Sequence, residues 1–117
     1  MIDLRSIEAN CFEVILVDGT HLHVEQPTVE GFECLQVLYR KAEIYGEKLK
    51  KGEVKEFEEL TKIVHELCVE LAKLFSVNRE GIELDIDTFK KKFTYSGLTK
   101  VLGEYIKWSK SVISDPN

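Results

Sequence analysis

The sequence has little of what usually marks an enzyme, a secreted protein or a membrane protein. No apolar run approaches the ~20 residues of a membrane-spanning helix, and the N-terminal residues lack the basic-then-apolar order of a signal peptide. The 117 residues include three cysteines and no CxxC pair, so no disulfide framework or zinc finger is indicated. No GxSxG, HExxH, P-loop or GxGxxG motif is present. We therefore expect a cytoplasmic protein without catalytic residues or cofactors.

Charge is distributed unevenly along the chain. The formal net charge is −5, which argues against a nucleic-acid partner because phosphates attract basic surfaces. Residues 1–89 carry 10 Lys and Arg against 19 Asp and Glu, a balance of −9, whereas residues 90–117 carry 6 Lys against 2 acids, a balance of +4. Copies with an acidic body and a basic end can pair head to tail. A solvated lysine-rich helix face is the plainer interpretation.

The hydrophobic pattern predicts one mostly α-helical domain, residues 1–117, with a small N-terminal β-hairpin. The hairpin covers about residues 11–24, and the helical part, with about four helices, covers about residues 28–113. The strongest signal is an apolar stripe from Val54 to Phe75, with apolar residues every three or four positions. Helix starts are expected at residues with capping side chains. These are Thr28, Asp85 or Asp87, and Thr94 or Ser96.

The predicted hairpin turns at Asp18-Gly19, a dipeptide that favours a two-residue type I′ turn. That turn pairs Ile15 with Leu22 and places Ile15, Val17, Leu22 and Val24 on one face. Phe12, Val14 and Leu16 then form the other face, so both faces are apolar. Because a two-stranded hairpin open to water on an apolar face fits poorly, we expect another element to cover the second face, and a neighbouring subunit is one candidate.

Histidines and aspartates are the main candidates for chemistry. His21 and His23 lie two apart on one strand and point to the same face, a spacing that can bind zinc, but no third ligand is visible nearby. Asp85 and Asp87 do not fit an EF-hand loop, and we interpret them as helix caps within a connector. We predict no catalytic residue and no metal site. A metal enzyme that uses His21, His23 and one of the two aspartates is the alternative that metal analysis would test.

From Cys11 to its end, the chain resembles the tail assembly chaperones of long-tailed phages and prophages of Gram-positive bacteria. The resemblance rests on the order of short structural motifs. A hairpin runs into PTVEGFECL, an acidic helix pair follows, and the chain turns at Asn78–Gly81. A short acid-capped helix from Asp85 to Phe93 then leads to a last helix that carries Tyr105 and Trp108.

The resemblance implies a non-enzymatic role similar to that of the short, lambda G-like form of this family. Such proteins coat the long tape measure protein in the bacterial cytoplasm before the tail tube polymerises, and they are absent from the mature virion. A longer frameshifted form recruits the tail tube protein. The family is mostly helical and self-associates, so a homo-oligomer is expected, with neither nucleic acid nor membrane as a partner.

We predict a partner or subunit interface on two groups of residues. The apolar outer face of the hairpin contributes Phe12, Val14 and Leu16, and the last helix contributes Tyr105 and Trp108, residue types that often anchor interfaces. The alternative function is that of a small phage-encoded adaptor or regulatory domain, which binds one folded partner as a monomer or dimer.

Overall fold

The computed structural model describes residues 10–52 and 57–114 as a β-hairpin followed by four helices. The predicted fold class, mostly α-helical with an N-terminal hairpin, is confirmed. Val54, where the predicted stripe begins, lies outside the described residues. The strands are β1 (Phe12–Ile15) and β2 (His21–Val24), and the helices are α1 (Gly31–Lys51), α2 (Phe57–Phe75), α3 (Ile86–Lys91) and α4 (Tyr95–Ser114).

Asp85 and Thr94 cap the starts of α3 and α4 as the sequence predicts, whereas the N-cap position of α1 is Glu30, without a side-chain capping bond, and Thr28 bonds the first helical residue from further upstream. The side-chain oxygens of Thr28, Asp85 and Thr94 each accept a hydrogen bond from the backbone N–H three residues further on, at 3.1, 2.8 and 3.1 Å. Each bond satisfies one of the N–H groups that a helix start leaves without a partner. The stretch from Ser76 to Phe89 therefore connects α2 to a capped short helix, as interpreted from the sequence.

The hairpin turn differs from the predicted type I′ turn. Leu16 O accepts a hydrogen bond from Gly19 N–H at 2.9 Å, and Leu16 N–H donates to Thr20 O at 2.9 Å. Gly19 has a φ of 87°, whereas no non-glycine residue of the described chain has a positive φ. This geometry is a three-residue loop, in which a type I turn is followed by a left-handed glycine. Asp18 thus keeps an ordinary φ, which a type I′ turn would not allow.

The extra loop residue shifts the strand register by one position. Phe12 pairs with Val24, and Ile15 pairs with His21, so the predicted pairing of Ile15 with Leu22 is wrong. Since a shift of one residue moves every side chain to the opposite face, Val14 now lies on the inner face together with Leu22. The expectation of two apolar faces is therefore also wrong.

The inner face of the hairpin forms one wall of the core. Leu22 and Val24 are fully buried against residues of α2, α3 and α4. The outer face carries Glu13, His21 and His23, together with Ile15, whose side chain is 67% exposed. The helices of the same chain thus cover the inner face of the hairpin, and the outer face is exposed.

The segment after α2 holds the free edge of β2. Glu25 N–H donates to Val77 O at 2.8 Å, and Arg79 N–H donates to His23 O at 3.0 Å. Asn78 forms a bridge with Val24, so this segment adds a short third strand-like stretch to the hairpin. The backbone groups that β2 would leave unpaired are satisfied in this way.

Asn78 also organises the segment that carries it. Its Nδ2 donates to Phe75 O at 2.8 Å and to Ile82 O at 2.7 Å, and its Oδ1 accepts from Ile82 N–H at 2.9 Å. Gly81, with a φ of 70°, supplies the left-handed residue that the sequence predicts at this turn. Among the described helices, none combines the length and the apolar character required to cross a bilayer.

The observed register predicts opposite outcomes for acidic substitutions at two neighbouring positions. Val14→Asp places a carboxylate against the core and should lower the free energy of unfolding by about 3 kcal/mol. Ile15→Asp replaces an exposed side chain and should change it by less than about 1 kcal/mol. Urea denaturation of both variants measures the difference. If Ile15→Asp lowered the free energy of unfolding more than Val14→Asp, the result would contradict this register and support the two-residue turn.

Candidate functional site

The residues predicted to form an interface converge between the hairpin and α4 of the same chain. The Phe12 ring lies 5.4 Å from the Tyr105 ring and 5.7 Å from the Trp108 ring, measured between centroids. Tyr105 and Leu16 are buried, whereas Phe12, Val14 and Trp108 are partly buried against the core. These contacts attach the hairpin to α4. A role for the five residues in an interface stays a prediction, but the outer apolar face that motivated it for Phe12, Val14 and Leu16 is not seen in the described hairpin.

A groove of about 510 Å³ lies where the start of α1 meets the end of α2. It is open to solvent and is lined by both apolar and charged residues. The apolar ones are Pro27, Gly31, Val37, Leu74 and Val77, and the charged ones are Glu30, Glu33, Glu70 and Lys73. Glu30 and Glu33 are exposed against the single exposed ammonium group of Lys73, so the lining favours an apolar segment that carries basic side chains.

Glu70 and Cys34 form a hydrogen-bonded pair in this groove. Glu70 is 7% exposed, and its Oε2 accepts a hydrogen bond from the Cys34 thiol at 3.0 Å. The ammonium group of Lys41 lies 3.6 Å from Glu70 Oε1. Burial and the hydrogen bond to Glu70 raise the pKa of Cys34 to about 12, so Cys34 is a neutral thiol near pH 7 and a poor nucleophile.

Sequence reasoning missed Glu70 as a buried charge. The signal was present, because Glu70 follows Leu67 by three positions and precedes Leu74 by four. That spacing puts the carboxylate on the apolar stripe of α2. An acid inside such a stripe calls for a buried partner, and Cys34 and Lys41 of α1 provide it.

The outer face of the hairpin gathers Glu13, His21 and His23. Each offers one possible ligand atom, and these atoms all lie within 4.8 Å of one another. His23 Nε2 lies 3.2 Å from Glu13 Oε1, and the rings of His21 and His23 stack with centroids 4.6 Å apart and planes 20° apart. The sequence-based statement that no third ligand lies near the histidines is therefore wrong.

Glu80 fixes His23 from the other side. Its Oε1 accepts a hydrogen bond from the His23 backbone N–H at 2.7 Å, and its Oε2 lies 2.6 Å from His23 Nδ1. The hydrogen bond from the His23 backbone N–H has the largest effect on Glu80, and the bond with the His23 ring has the next largest. Both lower the pKa of Glu80 from its ordinary value. An ionised carboxylate only accepts hydrogen bonds, so Nδ1 carries a proton and donates it to Glu80.

The aspartates that the sequence offered for metal chemistry lie elsewhere. Asp85 accepts hydrogen bonds from Thr88 N–H at 2.8 Å and from its hydroxyl at 3.1 Å, and these bonds lower the pKa of Asp85. In residues 10–52 and 57–114, the group able to hold a metal ion contains neither Asp85 nor Asp87. The structure thus supports the capping role of Asp85 and gives no support to a site built from His21, His23 and an aspartate.

Comparison with protein-family models, with curated proteins and with solved structures finds no match for this chain. The resemblance to tail assembly chaperones therefore rests on the residues quoted for it. Any functional conclusion depends on those residues and on the groove, the hairpin and their charges.

The pKa of Cys34 predicts slow alkylation. At pH 8 the thiolate fraction of a group with a pKa of about 12 is on the order of 10⁻⁴, so Cys34 should react with iodoacetamide far more slowly than a free cysteine. Glu70→Gln removes the carboxylate and should speed modification several-fold, while burial still limits it. Mass spectrometry of labelled peptides from native protein measures both rates. Equal rates in the two proteins would show that Glu70 does not control the thiol.

Proposed function

We propose that this chain is a non-enzymatic tail assembly chaperone of the short, lambda G-like type. It binds the tape measure protein in the cytoplasm of the host bacterium, keeps it soluble while the tail tube assembles, and is absent from the mature virion. The observation that carries the proposal is the open groove between α1 and α2, whose lining is largely apolar and exposes Glu30 and Glu33. Together with the motif resemblance, this groove favours binding of an extended or helical segment over chemistry on a small molecule.

The groove suits a long partner that exposes many similar apolar segments. It is open, and two further apolar residues near its lining are exposed: Val29 is 86% exposed, and Phe32 is 46% exposed. Both lie next to groove residues along the chain. One groove of this size gives weak binding on its own, and several copies on one partner supply the affinity through avidity.

Charge supports self-association on the partner. Lys100, Lys107 and Lys110 lie exposed on α4, within the basic part of the chain (residues 90–117, +4), whereas residues 1–89 carry a balance of −9. Neighbouring copies can place the basic end of one chain beside the acidic body of the next, and this contact weakens as salt rises. A longer frameshifted form that recruits the tail tube protein belongs to the same proposal.

Co-expression with the tape measure protein tests the proposal. The wild-type chain should raise the soluble amount of that partner and co-purify in many copies per partner. Val77→Asp adds a charge to the groove at a side chain that is 42% exposed, so the fold should tolerate it. We expect this variant to lower both the soluble yield and the copy number several-fold, because an unpaired carboxylate opposes apolar contact.

Ile15→Asp is the matched control, because Ile15 is 67% exposed on β1 and does not line the groove. It should behave as the wild type does. Circular dichroism must show equal helicity for the three proteins. If the wild-type chain leaves the tape measure protein insoluble and does not co-purify, the chaperone proposal is wrong. One-to-one binding of a folded partner instead would favour the adaptor function.

A further inference from the structure

The outer face of the hairpin holds a group of side chains that the proposed function does not use. Glu13, His21 and His23 come from two strands and meet on the face turned away from the core. Glu13 lies directly opposite His23 in the register, and His21 lies two positions along β2. Directly opposite and diagonal neighbours on one face of a sheet are within reach of long side chains.

We propose that Glu13, His21 and His23 bind a divalent transition-metal ion, with zinc the best match. Two imidazoles and one carboxylate form the donor set of many zinc sites that keep a fourth position open. Imidazole nitrogen favours zinc, copper and nickel over calcium and magnesium, which require more oxygen ligands.

The distances agree with a shared ion. Bonds of about 2.0–2.2 Å in a tetrahedral site place two ligand atoms roughly 3.3–3.6 Å apart. His23 Nε2 and Glu13 Oε1 lie 3.2 Å apart, close to this spacing. His21 belongs to the same group, within 4.8 Å, and rotation of its exposed ring closes the remaining distance without movement of the backbone.

Glu80 supplies a second, independent feature of a metal site. A histidine that binds a metal commonly donates its other ring N–H to a carboxylate, which fixes the tautomer and the ring plane. In His23 the Nδ1–H donates to Glu80 Oε2 at 2.6 Å, so the lone pair of neutral His23 is on Nε2, the atom that faces Glu13. Glu80 is a positioning residue here, because it acts through His23.

The surroundings also favour a cation. Two carboxylates flank His23 on this face: Glu13 Oε1 lies 3.2 Å from Nε2, and Glu80 Oε2 lies 2.6 Å from Nδ1. Carboxylates at this position attract divalent ions. A bound ion would connect β1 to β2 and, through Glu80, to the segment after α2.

Zinc titration tests the proposal on protein from which any affinity tag has been removed. Calorimetry and competition with a chromophoric chelator should show one zinc ion per chain. Loss of an outer-shell partner typically weakens metal binding by about 10–100-fold, and we expect an effect of that size for Glu80→Gln. The effect should be larger for each variant that removes a ligand: His21→Ala, His23→Ala and Glu13→Gln. Magnesium should not compete.

His65→Ala and Cys11→Ser are the matched controls. His65 is an exposed histidine on α2 outside the group, and Cys11 is a thiol close to it. Both variants should bind zinc as the wild type does. Saturating zinc should also raise the melting temperature of the wild type but not of His23→Ala, because the site exists only in the folded chain.

Absence of saturable zinc binding by the wild type would overturn the proposal and leave Glu13, His23 and Glu80 as a hydrogen-bonded ion pair network. Equal affinity in the wild type and His23→Ala would also overturn it. Because all the variants change outward-facing residues, equal circular dichroism spectra are expected. Failure of these titrations leaves the chaperone proposal untouched, since that proposal depends on the groove.

Discussion

The left-handed conformation of Gly19 sets the arrangement of the hairpin on which much of the structure depends. With Gly19 at a φ of 87° after an ordinary type I turn, the loop has three residues and the register is fixed. The register sends Phe12 and Val14 toward the helices and brings Glu13 to the same face as His21 and His23. In a two-residue turn Glu13 would lie on the opposite face from both histidines, and the hairpin would offer the core a different set of side chains.

The segment from Ser76 to Asp85 then secures the hairpin against the helices. Its backbone pairs with β2, and its own shape is held by side chains that bond within it. Ser76 Oγ accepts from Leu84 N–H at 2.9 Å and donates to Ala72 O at 2.7 Å, while Asn78 spans the turn that Gly81 makes. These bonds explain the presence of Ser76 and Asn78 in a stretch with no catalytic motif: their side chains replace the backbone pairing that a helix or sheet would provide.

Local features of the fold could be predicted from the sequence, whereas the features that depend on distant residues could not. The α2 stripe, the caps at Asp85 and Thr94, and the turn at Gly81 follow from neighbours within a few positions. Asp18-Gly19 was ambiguous, because the same dipeptide fits a type I′ turn and a type I turn with a left-handed glycine. That single ambiguity reversed the hairpin faces, concealed Glu13 as a neighbour of the histidines, and produced an outer apolar face that the structure does not have. The pairing of Glu70 with Cys34 depends on how α1 packs on α2, which no local pattern specifies.

The groove and the outer face of the hairpin share one structural element. Val77 lines the groove, and its carbonyl oxygen accepts the N–H of Glu25 at the end of β2. Three residues later, Glu80 holds the ring of His23. A partner that displaces Val77 therefore acts on the same short segment that orients His23. The two proposed ligands are the partner segment in the groove and the metal ion on the hairpin. If both ligands prefer one of two conformations of this segment over the other, each must change the affinity of the chain for the other ligand by the same factor. The bonds of Asn78 oppose such movement, so the stiffness of this one turn decides whether the two surfaces act together or independently.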